Sequence, residues 1–201
     1  MKIGSRYKIA RRLGSEVFEK TQTQKFALSE QKRNKQFTRG SRSNYGKQLL
    51  EKQKTRFTYL LSEKQFSNYV RKVIATKSTN PSEMLFSLLE SRLDNIVLRA
   101  GFASTRFAAK QMVSHGHITV NGRKVSISSY HTKTGDVISV KESSKNKGMF
   151  QDYDERAKDY TPPAWLKVVS KDKSVTVSAE PKYVPSDVSF DLLSVLQYYK
   201  R

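Results

Sequence analysis

Among the first 80 residues, 20 are Lys or Arg and only five are Asp or Glu, and this imbalance limits what the chain can fold into more than any other feature. Like charges at that density repel within any compact fold, so a structure that keeps them needs a solvated surface or a polyanion to lie against. The remainder is milder: residues 81–201 hold 18 basic and 13 acidic groups. Within them, 92–141 hold eight against two, and 142–201 hold ten against nine. Two basic blocks and a nearly neutral tail result. The 201 residues carry a net charge of +20 with ten Tyr and ten Phe interspersed, which makes RNA or DNA the leading class of partner.

Several classes are excluded. No stretch approaches the ~18 consecutive apolar residues of a membrane span, and the opening Met1-Lys2-Ile3-Gly4-Ser5-Arg6-Tyr7-Lys8 has no apolar signal-peptide core. The absence of Cys removes disulfides, thiolate metal sites and thiol catalysis. His115-Gly116-His117 flank a helix-ending glycine and point apart, with His131 beyond a hairpin, so helix termination or RNA contact is preferred over metal ligation. No metal, cofactor, membrane or small-molecule substrate is expected. Residues 142–201 show neither a Gly-rich phosphate loop nor a nucleophile elbow, and are too few for a catalytic domain beside an RNA-binding module, so the chain reads as a non-enzyme.

Residues 1–45 mix Arg6, Lys8, Arg11, Arg12, Arg33, Lys35, Arg39 and Arg42 with Gln, Ser, Thr and Gly, and show little sustained periodicity. They read as a basic extension, unstructured alone and ordered on RNA, although Arg11-Arg12-Leu13-Gly14 equally suits a short helix closed by glycine. From Tyr45, Leu49, Leu50, Phe57, Leu60 and Leu61 recur at helical spacing, with Lys47, Lys52, Lys54 and Arg56 on other azimuths. Ser62 is a fair N-cap for a second helix bearing Phe66, Tyr69, Val70, Val73 and Ile74. Pro81 suits the first turn of a third, running through Leu85, Leu89, Leu93, Ile96 and Val97 to Gly101. The last segment, with Phe190, Leu192, Leu193, Val195, Leu196, Tyr198 and Tyr199, is too apolar to stay in water and should pack on the helices of 46–91.

Residues 92–141 read as a small α/β module. A short helix from Ser104 to His115 precedes Gly116, and Ile118-Thr119-Val120-Asn121-Gly122-Arg123-Lys124-Val125 is a hairpin signal through the Asn-Gly turn. Asp136–Val140 supplies another strand. On the 104–115 helix Ala109, Met112 and Val113 share one sector, while Arg106, Phe107, Lys110 and Ser114 share the other. Arg106 and Lys110 are one turn apart and can each reach a phosphate, with Arg123 and Lys124 adding donors nearby. Phe107 either stacks on a base or covers a neighbouring element. Arg92 and Asp94, two apart, are not expected to face each other, and Asp94 is expected to fix local structure. Specificity should come from RNA shape, with a few base contacts from Gln48, Gln111, His117 or Asn121.

These residues carry a family resemblance. Ser91-Arg92-Leu93-Asp94-Asn95-Ile96-Val97, Gly101, Thr105-Arg106, Ala109, Lys110-Gln111-Met112-Val113-Ser114-His115-Gly116-His117-Ile118, Val120-Asn121-Gly122 and Gly135-Asp136 resemble the S four RNA-binding domain. Tyr7 with Arg11-Arg12-Leu13-Gly14, Tyr45-Gly46-Lys47-Gln48-Leu49-Leu50, Lys64-Gln65-Phe66, Pro163-Ala164-Trp165-Leu166 and the ending Val195–Arg201 resemble the bacterial small-subunit ribosomal protein S four family, so the likeness covers essentially the whole chain.

The resemblance implies an α+β fold with a basic extension at 1–45 and a helical platform at 46–91 joined by a C-terminal helix at 188–201. The inserted RNA-binding module would be 92–187 with its core at 92–141, two helices plus short antiparallel strands. It implies a ribosomal constituent in the cytoplasm, or in an organelle with its own ribosomes. Such a protein binds the 5′ domain of small-subunit ribosomal RNA, nucleates assembly, touches neighbouring small-subunit proteins and lies near where messenger RNA enters, affecting decoding accuracy. The RNA-binding residues would be Arg6, Lys8, Arg11, Arg12, Arg39, Arg42, Tyr45, Lys47, Gln48, Lys52, Lys54, Arg56, Arg92, Arg106, Lys110, Gln111, Ser114, His115, His117, Asn121, Arg123 and Lys124. The alternative is a stand-alone RNA-binding factor that joins ribosomes in stress or rescue. Three departures stand out: Gln36-Phe37-Thr38-Arg39-Gly40 replaces the family's Pro-Gly-Gln-His-Gly loop, the zinc-binding cysteines of some members are absent, and Phe107 occupies an often basic position.

Overall fold

The computed structural model describes residues 3–34, 43–151, 153, 155, 157 and 160–200. The fold is α+β, with eight α-helices and a five-stranded antiparallel sheet among the described residues. It divides into two compact units, Met1–Phe86 with Tyr183–Arg201, and Ser87–Lys182. Among the described residues no helix is long and apolar enough to cross a membrane.

The first unit is helical: α1 (Arg6–Leu13), α2 (Gln24–Asn34), α3 (Asn44–Thr58), α4 (Glu63–Ala75), the start of α5 (Pro81–Glu90), and α8 (Leu192–Tyr199). Side-chain caps set several starts. Ser43 Oγ accepts from Gly46 N at 3.2 Å, and Ser62 and Gln65 form a reciprocal capping box on α4. Asp191 caps α8, accepting from Leu193 N at 2.8 Å and Ser194 N at 3.3 Å. Helix α8 lies against α3 and α4, burying Leu192, Val195 and Leu196. Its polar edge is tied down as well: Gln48 donates to Gln197 at 3.2 Å, and Tyr199 OH donates to Glu63 at 2.9 Å.

The N-terminal extension departs from the expectation of an unstructured segment. Residues 3–34 hold α1, α2 and two intervening turns of 3-10 helix, Ser15–Val17 and Glu19–Thr21, and they bury Ala10, Leu13, Val17, Phe18, Thr21 and Phe26. Helix α1 closes on Gly14 at φ +115°, a left-handed value that favours glycine. The Phe18 ring meets Phe57 of α3 edge-on at 6.3 Å. Stripes this short, on elements of three to eleven residues, leave no periodicity that a longer window detects.

The second unit joins the end of α5, α6 (Leu93–Arg99) and α7 (Arg106–Ser114) to β1 (Ile118–Val120), β2 (Arg123–Lys124), β3 (Val137–Val140), β4 (Leu166–Val169) and β5 (Ser174–Val177). The strand order is β2-β1-β3-β5-β4. Ile96, Val97, Phe102, Ala109, Val113, Ile118, Ile138 and Val175 form the heart of its core, each fully buried. Asn121 at φ +50° and Gly122 at φ +77° make the β1–β2 connection, with Val120 opposite Arg123, as a type I′ turn requires.

One expectation is corrected here. The single helix expected from Pro81 to Gly101 is two, because Arg92 is extended at φ −69° and ψ 139°. Ser91 C=O accepts from both Thr132 N and Thr132 Oγ1 at 3.0 Å, and Arg92 bridges to His131, so tertiary pairing interrupts a stripe that the sequence continues. The tail after 141 also adds β4 and β5 to the sheet, with Val137 opposite Thr176 and Leu166 opposite Val177.

Candidate nucleic-acid interface

In the second unit the interface is built on α7. Thr105 caps it, its hydroxyl accepting from Ala108 N at 3.2 Å, and Ala109, Met112 and Val113 bury the inner face. The outer face carries Arg106, Phe107, Lys110 and Ser114, and all but Ser114 are partly buried. Buried acceptors on the preceding helix hold its two cations. Arg106 donates to Asn95 Oδ1, and Lys110 Nζ lies 3.6 Å from Asp94 Oδ2. Burial pulls Lys110 below the ordinary lysine value, Asp94 pushes it back up, and Arg92 and Arg106 lower it further.

Arg92 and Asp94 face each other after all, which corrects the sequence reading. Arg92 Nε donates to Asp94 Oδ1 at 3.0 Å and its Nη2 to Oδ2 at 2.7 Å, a bidentate pair buried at 2% and 5% exposure. The rule that residues two apart point away from each other belongs to helix interiors. Arg92 stands at the extended N-cap position of α6, from which its side chain folds back over the first turn. Its guanidinium is therefore enclosed, and its role in this arrangement is to hold Asp94 under Lys110. A second network lies alongside: Glu90, 1% exposed, takes Arg99 at 3.0 and 2.9 Å and the Asn95 amide at 2.5 Å. Sequence reasoning missed Glu90 and Arg99, whose nine-residue separation spans the unforeseen break between α5 and α6.

The remaining module residues divide cleanly. Gln111, Ser114, His115, Arg123 and Lys124 are exposed. Asn121 is exposed too, but its amide donates to Asp136 Oδ1 at 2.9 Å and its Oδ1 accepts from Val137 N at 2.9 Å, so it secures the hairpin. His117 is 9% exposed, its Nδ1 is 3.0 Å from Ser144 Oγ, and burial followed by the charges of Lys147, His115, Lys124 and Lys141 lowers its pKa below 6.5.

That depression has a sign. Because the folded state binds the His117 proton less readily than the unfolded chain, its contribution to stability is complete above about pH 6.5 and is lost as pH falls through that value towards the lowered folded pKa. Thermal unfolding between about pH 7.5 and about pH 5.5 should show a larger fall for the wild type than for His117→Asn. Parallel curves for the two would remove His117 from this role.

In the first unit, α1 exposes Lys8 and Arg12 and half-buries Arg6 and Arg11. Lys47 and Tyr45 of α3 are exposed, with the Tyr45 ring 5.7 Å from that of Tyr198. Arg39 and Arg42 lie outside the described residues. The other cations of α3 turn inward: the side chains of Lys52, Lys54 and Arg56 are 11, 16 and 17% exposed. Lys52 Nζ is 2.5 Å from Glu63 Oε1 and sits 4.7 Å over the Tyr198 ring, Arg56 Nε is 3.5 Å from Glu63 Oε2, and Lys54 is 4.0 Å from Glu16. Burial raises the Glu63 pKa, but hydrogen bonds from Lys52 and Tyr199 and the charges of Lys52 and Arg56 outweigh it and leave the carboxyl below its ordinary value. Tyr199 moves the other way, pushed up by burial and then by Glu63. Glu63 was invisible in the sequence as an organiser, since the α3–α4 turn, not helical spacing, brings it to Lys52 and Arg56.

Comparison with known proteins fits both units into one lineage. Residues 91–138 match the family described as S4 domain, and residues 1–90 match the family described as ribosomal protein S4/S9 N-terminal domain. The small ribosomal subunit protein uS4 of Chromohalobacter salexigens is 44% identical over 194 residues, covering 94% of this chain and 93% of that protein. The protein of the same name from Acinetobacter baumannii is 40% identical over 199 residues, 95% of each chain, and that from Syntrophomonas wolfei is 43% identical over 159 residues, 79% and 76% respectively.

Proposed function

The chain belongs to the uS4 family of small ribosomal subunit proteins, and on that premise we propose that it is a structural, non-enzymatic constituent of the small subunit that binds its ribosomal RNA. The finer reading is that it engages the 5′ domain of that RNA early, nucleates its assembly, and sits among neighbouring small-subunit proteins near where messenger RNA enters, bearing on decoding accuracy. Its place of work is the ribosome of the cytoplasm.

The observation that carries RNA binding is the outer face of α7. Asp94 and Asn95 hold Lys110 and Arg106 in place, so little side-chain freedom remains to be lost when a phosphate arrives. Arg123 and Lys124 of the hairpin are exposed cations that extend the contact within the second unit, and the first unit by itself exposes Lys8, Arg12 and Lys47. Gln111, Ser114 and His115 stand beside them as polar groups for sugar or base edges.

The test is binding to the isolated 5′ domain of small-subunit RNA. Arg106→Gln with Lys110→Gln should weaken binding roughly tenfold or more, and should lower the slope of log K against log salt by about 1.4–1.8, the amount for two phosphates. The matched control is Lys167→Gln with Lys171→Gln, both exposed. Lys173 is unsuitable because its Nζ donates to Phe150 C=O at 3.1 Å. Equal losses in both pairs would refute recognition by this face.

A further inference from the structure

A second group of cations gathers around the Gly116–His117 turn, partly inside the S4 domain match and partly after it. The S4 domain match ends at residue 138, whereas Lys141 and Lys147 follow it. Their segment is pinned rather than loose. Lys141 N donates to His117 C=O at 2.8 Å, Lys147 N to Ser144 C=O at 3.0 Å, and Ser144 Oγ is 3.0 Å from His117 Nδ1. Lys173 Nζ fastens the far end on Phe150 C=O at 3.1 Å.

Lys124 reaches the same place from β2. Its methylene arm crosses Gly116 so closely that a Cβ there would collide with it, and Gly116 stands at φ +72°. His115, at the end of α7, places its ring 6.1 Å from that of His117. The Lys124 side chain and the His115 ring thus border one turn, the backbone of Lys141 is bonded to it, and the charges of Lys147, His115, Lys124 and Lys141 all act on His117 in the same direction. The neighbouring acid, Glu142, is already 2.8 Å from Lys145 with 85% of its side chain exposed. Like charges held together on a fixed scaffold repel until an anion neutralises them.

We propose that Lys124, Lys141, Lys147 and His115, gathered around the Gly116–His117 turn, form a phosphodiester-binding site that carries an RNA backbone past the edge of the S4 domain. The ligand class follows from the donors: compact ammonium groups act as point charges for phosphate oxygens, and the imidazole of His115 adds a ring N–H donor beside them. The site deepens the proposed ribosomal RNA reading and rests on it. Lys141 and Lys147 are both exposed.

The experiment measures binding of Lys141→Gln with Lys147→Gln, the wild type, and the Lys167→Gln with Lys171→Gln control, to the 5′ domain of small-subunit RNA and to an unrelated folded RNA of equal length. The variant should bind the 5′ domain roughly tenfold more weakly, with a salt slope lower by about 1.4–1.8, and the control should lose much less. If wild-type binding favours the 5′ domain and the variant loses no more than the control, the site is wrong while the ribosomal reading stands. If the wild type binds both RNAs alike and the variant loses affinity for both, the phosphodiester site stands and the ribosomal reading fails.

Discussion

Removing residues 190–201 is expected to cost the first unit several kcal/mol and to abolish its cooperative unfolding near the wild-type temperature. The deleted segment buries Phe190 at 6%, Leu192 and Val195 at 0% and Leu196 at 1% exposure, against α3 and α4. Full burial of each such side chain is worth roughly 1.5–3 kcal/mol, and a domain has only about 5–15 kcal/mol in total. Polar ties go too: Glu63 loses its hydrogen bond from Tyr199, and Lys52 loses the rings of Tyr198 and Tyr199. Lys52 would then share the Glu63 carboxylate with Arg56 while losing its own aromatic cover. Leu196→Ala gives the graded version, about 2–5 kcal/mol, read as a lower unfolding temperature in calorimetry. A truncated chain that unfolds where the wild type does would show that α8 is not part of this core.

The same helix illustrates what the sequence reveals. An apolar run with no other place to go must pack, and the capping residue Ser62, the Asn121-Gly122 turn and the α7 stripe are local signals whose geometry the fold keeps. The break at Ser91–Arg92 has no such signal, because neither Gly nor Pro marks it and it depends on Thr132 and His131, some 40 residues away. Strand β5 is similarly hidden: Val175 and Val177 alternate around Thr176, but the partner β3 lies 37 residues earlier and the β4–β5 turn uses Lys173 at φ +49° instead of a glycine. Burial of the cations was the least legible. Lys52 and Arg56 look like a solvated basic face until Glu63 is placed beside them, and Arg92 looks like a phosphate donor until Asp94 closes on it.

That last pair leads to the larger functional expectation: removing a negative charge from this basic protein should weaken its hold on RNA. Net charge alone predicts the reverse, since Asp94→Ala makes the chain more positive. Yet Asp94 anchors Lys110 at 3.6 Å and accepts two hydrogen bonds from the 2%-exposed Arg92, so its loss takes the carboxylate away from a buried guanidinium, at a cost of about 3–5 kcal/mol. Stability and binding must be separated for the claim to be tested. Arg92→Met with Asp94→Leu replaces the buried pair by apolar side chains of similar size, which restores stability to the wild-type level or raises it by about 1–4 kcal/mol. Lys110 still lacks its anchor in that variant, so 5′ domain affinity should stay below wild type while thermal stability returns. The positioning role would be overturned by wild-type affinity in the double variant, because Lys110 would then find the phosphate without Asp94 to aim it.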